Sequence, residues 1–384
     1  MPYSPPSSAK PFTLNIPDQD IEDWRQLLTL SKLAPKTWEG SQEDRRYGVT
    51  HKWLTETKEY WLNTYSWRDE EKRINAFPNY RMQINGVDLH FIALFSEKEE
   101  AVPIQFLHGW PGSFIEFLPM LEVIKKQHSA KDLPYHIIVP SLPGYPLSPR
   151  PTDREWSVKE SSAVLNQLML NLGFEKYLAQ GGDVGSFNAR VSAQNHDACV
   201  GIHLNMMTVQ DQPDESELSA LEKKAIKSAN AWRQTGNAYA QEHGTRPSTI
   251  GSVLSSNPLA LLAWIGEKFL EWSDTDPDIH HILTNISLYW FTCSILPSLQ
   301  PYRQLLGNSG LALTYIEKPV GFSFFPHELF PGIKHVLDKN ANIVTYEQHE
   351  SGGHFAALEK PEELWGDVEK FVNVAWKANG GSKL

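Results

Sequence analysis

The chain has 384 residues, enough to bury a large core, and its mixed helical and strand signals read as one long domain carrying accessory segments. A formal net charge of −11 leaves no basic stripe to neutralise phosphates or anionic lipid headgroups, which argues against nucleic acid as a partner and for a neutral substrate. Two cysteines, Cys199 and Cys293, cannot build a disulfide framework; the opening MPYSPPSSAKPF has no apolar signal region, and no run of about 18 apolar residues predicts a bilayer span, so a soluble protein is expected.

Residues 1–90 read as a leading segment of helices and loops, with helix-like apolar spacing over Pro17–Leu33 and His51–Tyr65. Trp24, Trp38, Trp53, Trp61 and Trp67 fall here, and packing against a neighbour explains so much ring surface. In MQINGVDLHFIAL, alternation around Asn85-Gly86 predicts a hairpin. The runs PIQFLHGW, YHIIVPSL, KYLAQ and VGIHLN follow, separated by helical patterns such as Ser157–Leu172. That alternation predicts βαβ units and a mostly parallel sheet over 91–205. Over 206–312 the chain turns mostly helical: Asn257-Pro258 and Asp276-Pro277 each predict a helix start, and Ile279, Ile282, Leu283, Ile286, Trp290 and Cys293 keep a helical stripe. Strands return over 313–384 with KPVGFSFF and NIVTYE, before a helix around Val368–Trp376. A helical block inserted between strands of one sheet predicts a cap over their C-terminal ends, where ligands bind in open α/β sheets.

The stretch GGDVGS, Gly181–Ser186, fits a nucleophile elbow, in which small residues let the backbone take a strained turn and lift one side chain above the sheet. An ordinary glycine-rich turn fits the same six residues. A nucleotide-phosphate loop is a third reading, but no G-x-G-x-x-G and no lysine P-loop accompanies it. Elbow hydrolases place nucleophile, acid and histidine in that chain order. Asp183, Glu328 in FFPHE and His354 in SGGHFAALE satisfy it, although spacing alone does not choose Glu328 over Asp338 or Glu347. Upstream, HGWPGS after a strand offers a tight turn, or a backbone N–H near Trp110 as one half of an oxyanion hole whose other half is Val184.

An aspartate at the elbow changes the chemistry. Serine attacking a saturated carbon gives an ether that water cannot remove, whereas a carboxylate gives an ester whose own carbonyl water can attack. Asp183 thus indicates alkyl transfer from an epoxide or an alkyl halide, with His354 activating water and Glu328 orienting the imidazole. Epoxide opening calls for a tyrosine donor to the developing alkoxide; halide departure calls for N–H donors such as a tryptophan indole.

HGWPGS, GGDVGS, EHGTRPSTIG followed by LAWIGEKF, YWFT, GFSFFP and GGHFAALE together resemble the epoxide hydrolases of the microsomal type, especially the soluble fungal branch lacking the membrane anchor. The resemblance covers nearly the whole chain. It implies an α/β-hydrolase fold with a helical cap, hydrolysis of epoxides to vicinal diols without cofactor or metal, Asp183 as nucleophile, His354 as base and Glu328 as its acid partner. It also implies that Tyr239 and Tyr302 activate the epoxide oxygen and, by analogy only, a homodimer. Two positions depart from relatives: Glu328 stands where some have Asp, and Pro146 in SLPGYPLS stands where a smaller or more flexible residue is usual, which bears on an entrance loop. A haloalkane dehalogenase shares the aspartate logic but is weakened by Val184 in place of tryptophan, and a catalytically silent hydrolase-like binding protein is weakened by the retained acid, base and tyrosines. No pair of arginines stands out as a carboxylate clamp. Ser382, Lys383 and Leu384 spell the S-K-L address read by the peroxisomal import receptor, which predicts peroxisomal targeting, with the cytosol as the alternative.

Overall fold

The computed structural model describes residues 3–305 and 314–378, so Ser382, Lys383 and Leu384 lie outside the described residues. Among the described residues nine strands make one sheet: β1 (Lys10–Phe12), β2 (Asn79–Ile84), β3 (Val87–Leu94), β4 (Val102–Leu107), β5 (Tyr135–Pro140), β6 (Tyr177–Gly181), β7 (Cys199–Leu204), β8 (Ile316–Phe324) and β9 (Ala341–Gln348). Their order is β1-β2-β3-β5-β4-β6-β7-β8-β9. Every neighbouring pair from β5 to β9 is parallel, and β1, β2 and β3 extend one side antiparallel. Strands β4, β5, β6 and β7 are buried at every residue, which is why their sequences are near-continuous apolar runs rather than alternating ones. The Asn85-Gly86 turn has φ of 50° and 82°, the left-handed pair a tight hairpin needs, and it closes β2 on β3 with Ile84 opposite Val87.

Helices α1 (Asp18–Leu30), α2 (His51–Asn63) and α3 (Trp67–Asn75) form the leading segment, and α4 (Leu118–Gln127), α5 (Val158–Asn171) and α6 (Asp183–Asn195) follow strands of the sheet. Helix α5 opens with a reciprocal cap in which Ser157 accepts from the Glu160 N–H and Glu160 accepts from the Ser157 N–H. Between β7 and β8 run α7 (Ala220–Thr235), α8 (Ala238–Thr245), α9 (Pro247–Ser256), α10 (Pro258–Trp272), α11 (Ile279–Phe291) and the short helices Ile295–Ser298 and Pro301–Leu305. The leading segment braces this helical block. Trp61 packs on Trp24 and donates to Ser287 of α11, Trp67 lies against Phe291, and the Trp53 ring fills the space a side chain at Gly266 of α10 would take.

Five expectations change in detail. The leading segment is not only helices and loops, because β1 pairs with β2 and adds a strand to the sheet. Asn257 caps α10 as expected, its Oδ1 accepting from Leu259 and Ala260. Helix α11, however, starts two residues after Asp276-Pro277, because Asp278 takes the capping position and accepts the His280 N–H. Cys293 lies beyond the end of α11 with φ of 50°. The last helix spans Pro361–Ala378, seven residues earlier in its start than the apolar stripe suggests, and Trp38 is 61% exposed rather than packed.

Candidate active site

The order of the sheet brings two turns side by side. β4 lies between β5 and β6, and the register pairs Leu107 with Gly181, so the chain leaves both strands at the same level. One exit is His108-Gly109-Trp110; the other is Gly182-Asp183. Asp183 has φ of 44° and begins α6, so its side chain is lifted at the helix N-terminus on a backbone conformation that non-glycine residues rarely adopt. Two glycines make this possible. A Cβ on Gly185 would stand 2.0 Å from the Leu107 carbonyl oxygen, so glycine lets α6 sit on β4; a Cβ on Gly109 would stand 2.2 Å from Asp183 Oδ1. With Gly109 in place, the Trp110 N–H donates to Asp183 Oδ1 at 2.7 Å. The Val184 N–H belongs to the first turn of α6, where donors lack an intrahelical acceptor, but among the described residues it makes no hydrogen bond to the Asp183 carboxylate.

His354 sits after β9 in a loop that Gly352, with φ of 108°, turns back under α10, where the His354 N–H donates to the Trp272 carbonyl at 3.0 Å. Its Nε2 is 3.5 Å from Asp183 Oδ2, and its Nδ1 is 2.9 and 3.1 Å from the two oxygens of Glu328. The longer arm of Glu328 thus reaches the imidazole with both oxygens. The competing acids are engaged elsewhere, Asp338 with Lys334 and Glu347 with Lys370. Burial opposes charge on His354, but the Glu328 carboxylate on one side and Asp183 on the other outweigh it and hold its pKa well above the ordinary histidine value. The two carboxylates thus favour the protonated imidazole.

Tyr239 of α8 and Tyr302 of the short helix Pro301–Leu305 come down over this centre. Both are buried, and their hydroxyls are 3.4 Å apart, longer than a good O–H···O bond. The Tyr239 ring stacks on Trp110 at 5.3 Å, and Tyr302 meets the same indole edge-on at 5.8 Å. Burial and then the Asp183 charge push the Tyr239 hydroxyl far above its ordinary pKa; burial, Tyr239 and Asp183 do the same for Tyr302, so both stay as donors. The structure thus brings Asp183, His354, Glu328, Trp110, Val184, Tyr239 and Tyr302 to one place.

Two spaces meet at Asp183. A cavity of ≈ 870 Å³ opens under α7 and α8, with Asp183, Tyr239 and Tyr302 at its inner end and Phe187, Met206, Trp232 and Phe330 on its walls. Pro146 is buried and is not on that wall. On the other side of the carboxylate, Asp183, His354, Glu116, Gln180 and Asn205 line a chamber of ≈ 10 Å³, about the room one water centre needs. The Gln180 Oε1 is buried without a protein partner among the described residues, and Glu116 lines the same chamber. Desolvation raises the Glu116 pKa to about 8, with His354 lowering and Asp183 raising it, so at neutral pH it keeps its proton. Glu116 and Gln180 carry no signal in the sequence, because only the packing of the helix after HGWPGS brings Glu116 to β6.

Comparison with known proteins gives the family. Residues 9–117 match the model described as epoxide hydrolase N terminus, and residues 102–256 match the alpha/beta hydrolase fold. Epoxide hydrolase 1 of Sus scrofa is 30% identical over 96% of this chain and 89% of its own length. The solved Aspergillus niger epoxide hydrolase is 46% identical, with 97% of this chain and 99% of that chain covered and a TM-score of 0.93. The chain belongs to the epoxide hydrolase family. The enzyme is also similar to juvenile hormone epoxide hydrolase from the silkworm Bombyx mori, at 25% identity over 98% of this chain and 96% of that chain, with a TM-score of 0.89. Its sheet and inserted helices are those of an α/β hydrolase.

Proposed function

We propose that the enzyme converts epoxides to vicinal diols through a covalent ester on Asp183. The observation that carries this is the arrangement of two protonated tyrosine hydroxyls, 3.4 Å apart, above a carboxylate already aligned by the Trp110 N–H and His354. One oxygen placed between the hydroxyls accepts from both while its adjacent carbon faces Asp183. The carboxylate attacks that carbon, the C–O bond breaks, and the alkoxide takes a proton from a tyrosine. The proton held on His354 restores the tyrosine and closes the balance, leaving neutral imidazole beside a neutral ester.

The second step follows from the change in charge. Esterification removes one of the two carboxylate charges that hold the His354 proton, so the imidazole becomes a base when a base is needed. Water in the small chamber, oriented by the Glu116 carboxyl and Gln180, gives its proton to His354 and attacks the ester carbonyl. The oxyanion that forms is the Asp183 oxygen, to which the Trp110 N–H already donates, with the Val184 N–H as the second donor. Collapse breaks the bond to the alkoxide, which takes the proton of the hydroxyl that water added, so the diol leaves and Asp183 returns as a carboxylate beside the imidazolium. The apolar cavity walls favour aryl or alkyl substituents on the epoxide. A direct test is incubation with an aryl epoxide: the wild type yields the diol, and His354→Gln stops at an ester on the Asp183 peptide visible by mass spectrometry. No diol, or no ester in the variant, contradicts the scheme. Peroxisomal delivery through Ser382, Lys383 and Leu384 stays a proposal, supported by the tripeptide and conditional on a free carboxylate at Leu384.

A further inference from the structure

The fold brings to the active-site cavity a cation that spacing along the chain does not mark. Arg190 lies on α6 seven residues after Asp183, two turns further along nearly the same face, which puts it about 10 Å from Asp183 along the helix axis. It lines the cavity together with Phe187, Met206 and Thr208. Only 3% of its surface is exposed, yet its guanidinium has few partners: Nη1 donates to the Thr208 carbonyl at 2.9 Å and approaches the Thr208 hydroxyl at 3.4 Å, and Nε is buried with no acceptor. Among the described residues no carboxylate lies in ion-pair range of it. Of the two carboxylates that line the cavity, Asp183 is met by the Trp110 N–H and His354, and Asp211 accepts from Asn340. Burial alone lowers the Arg190 pKa, to about 10, and no negative group offsets that fall. A second arginine, Arg233, stands at the outer wall, its guanidinium over the Phe330 ring.

A buried guanidinium is costly unless an anion or several acceptors meet it, and its planar fork matches a carboxylate with two parallel bonds. If holding the Thr208 loop were its whole function, one neutral side chain would serve, without the cost of burying charge. We propose that this end of the cavity is a carboxylate subsite, in which Arg190 holds the anionic end of a substrate whose epoxide sits on Asp183. The proposal deepens the epoxide-hydrolase reading and rests on it for the reacting end; it replaces the expectation of a purely neutral substrate with a medium-chain epoxy acid. The apolar side chains between the two ends take the chain, and the roughly 10 Å between them sets its length.

The test compares a medium-chain carboxylic acid bearing a terminal epoxide with its primary amide, and separately titrates octanoate, which cannot react, by calorimetry. Breaking one side of a buried charge pair typically costs binding by about thirtyfold or more, so the wild type should prefer the acid by about that factor in kcat/KM, mainly through KM. Octanoate should bind the wild type. In Arg190→Met the acid-to-amide ratio should fall to about one and octanoate binding should be lost; Arg190→Lys, which keeps the charge without the fork, should recover part of both. Equal use of acid and amide by the wild type, or octanoate binding that is absent or unchanged in Arg190→Met, overturns the subsite, and the wild-type comparison decides even if the variants fail to fold. Diol from neither substrate, with octanoate still held through Arg190, would support the anion site and remove the epoxide reading.

Discussion

Replacing Tyr239 and Tyr302 by phenylalanine, singly and together, isolates the ring-opening step. Each hydroxyl is buried, kept protonated, and separated from the other by 3.4 Å, so neither fully satisfies the other and both are free to turn to a third oxygen. An oxyanion that loses one such donor typically loses about 2.7 to 4 kcal/mol of transition-state stabilisation, or roughly a hundredfold to a thousandfold in rate. Because both donors meet one oxygen, the survivor shortens its bond in a single variant and the loss stays near the lower figure. With neither donor the alkoxide forms in an apolar pocket, and the double variant should lose about 5 kcal/mol or more, a factor of at least several thousand. The alkylation rate can be read by stopped-flow fluorescence, since Trp110 stacks on Tyr239 and donates to Asp183, and Trp272 packs on His354. Circular dichroism spectra should be unchanged, because each substitution removes one atom. A double variant that alkylates at the wild-type rate would take both residues out of the mechanism.

The charge switch at His354 predicts that Asp183→Asn, which mimics the neutral ester, lowers the His354 pKa measured by NMR. The sign follows from its causes: losing an adjacent negative charge weakens proton binding, and an unchanged or higher value would refute the switch. Glu116 carries its proton below about pH 8, so the hydrolytic step should slow as pH rises through this region; the alkaline limb should be missing in Glu116→Gln, and its persistence would mean another group titrates. An enzyme tagged at its N-terminus should localise to peroxisomes and become cytosolic without Leu384; diffuse signal from the intact tail would end the targeting proposal.

Much of this site was legible in the sequence because its parts obey local rules. Parallel strands buried on both faces must be apolar throughout, so β4, β5, β6 and β7 stand out as short runs, and the turns that follow them must carry glycine where backbones touch. Asp183 and His354 were visible through those glycines, and chain order pointed to Glu328; the bidentate contact with His354 is what separates it from Asp338 and Glu347. Tyr239 and Tyr302 had no local signature and came from family resemblance. Glu116, Gln180 and Arg190 were invisible because their environments are made by segments distant in the chain: Glu116 shares a chamber with Gln180 of β6 and His354 of the loop after β9, and Arg190 meets the chain after β7. A three-residue strand such as β1 has too few residues to show a period.

The covalent ester on Asp183 is the central claim, and a single turnover in isotope-labelled water tests it most directly. Water is proposed to attack the ester carbonyl, not the epoxide carbon, so with enzyme in excess the solvent label should appear in the Asp183 carboxylate and be absent from the first diol formed, entering the diol only when that same enzyme turns over again. Label found directly in the diol of the first turnover, with an unlabelled Asp183 peptide, would show that water opens the ring itself and would contradict the account.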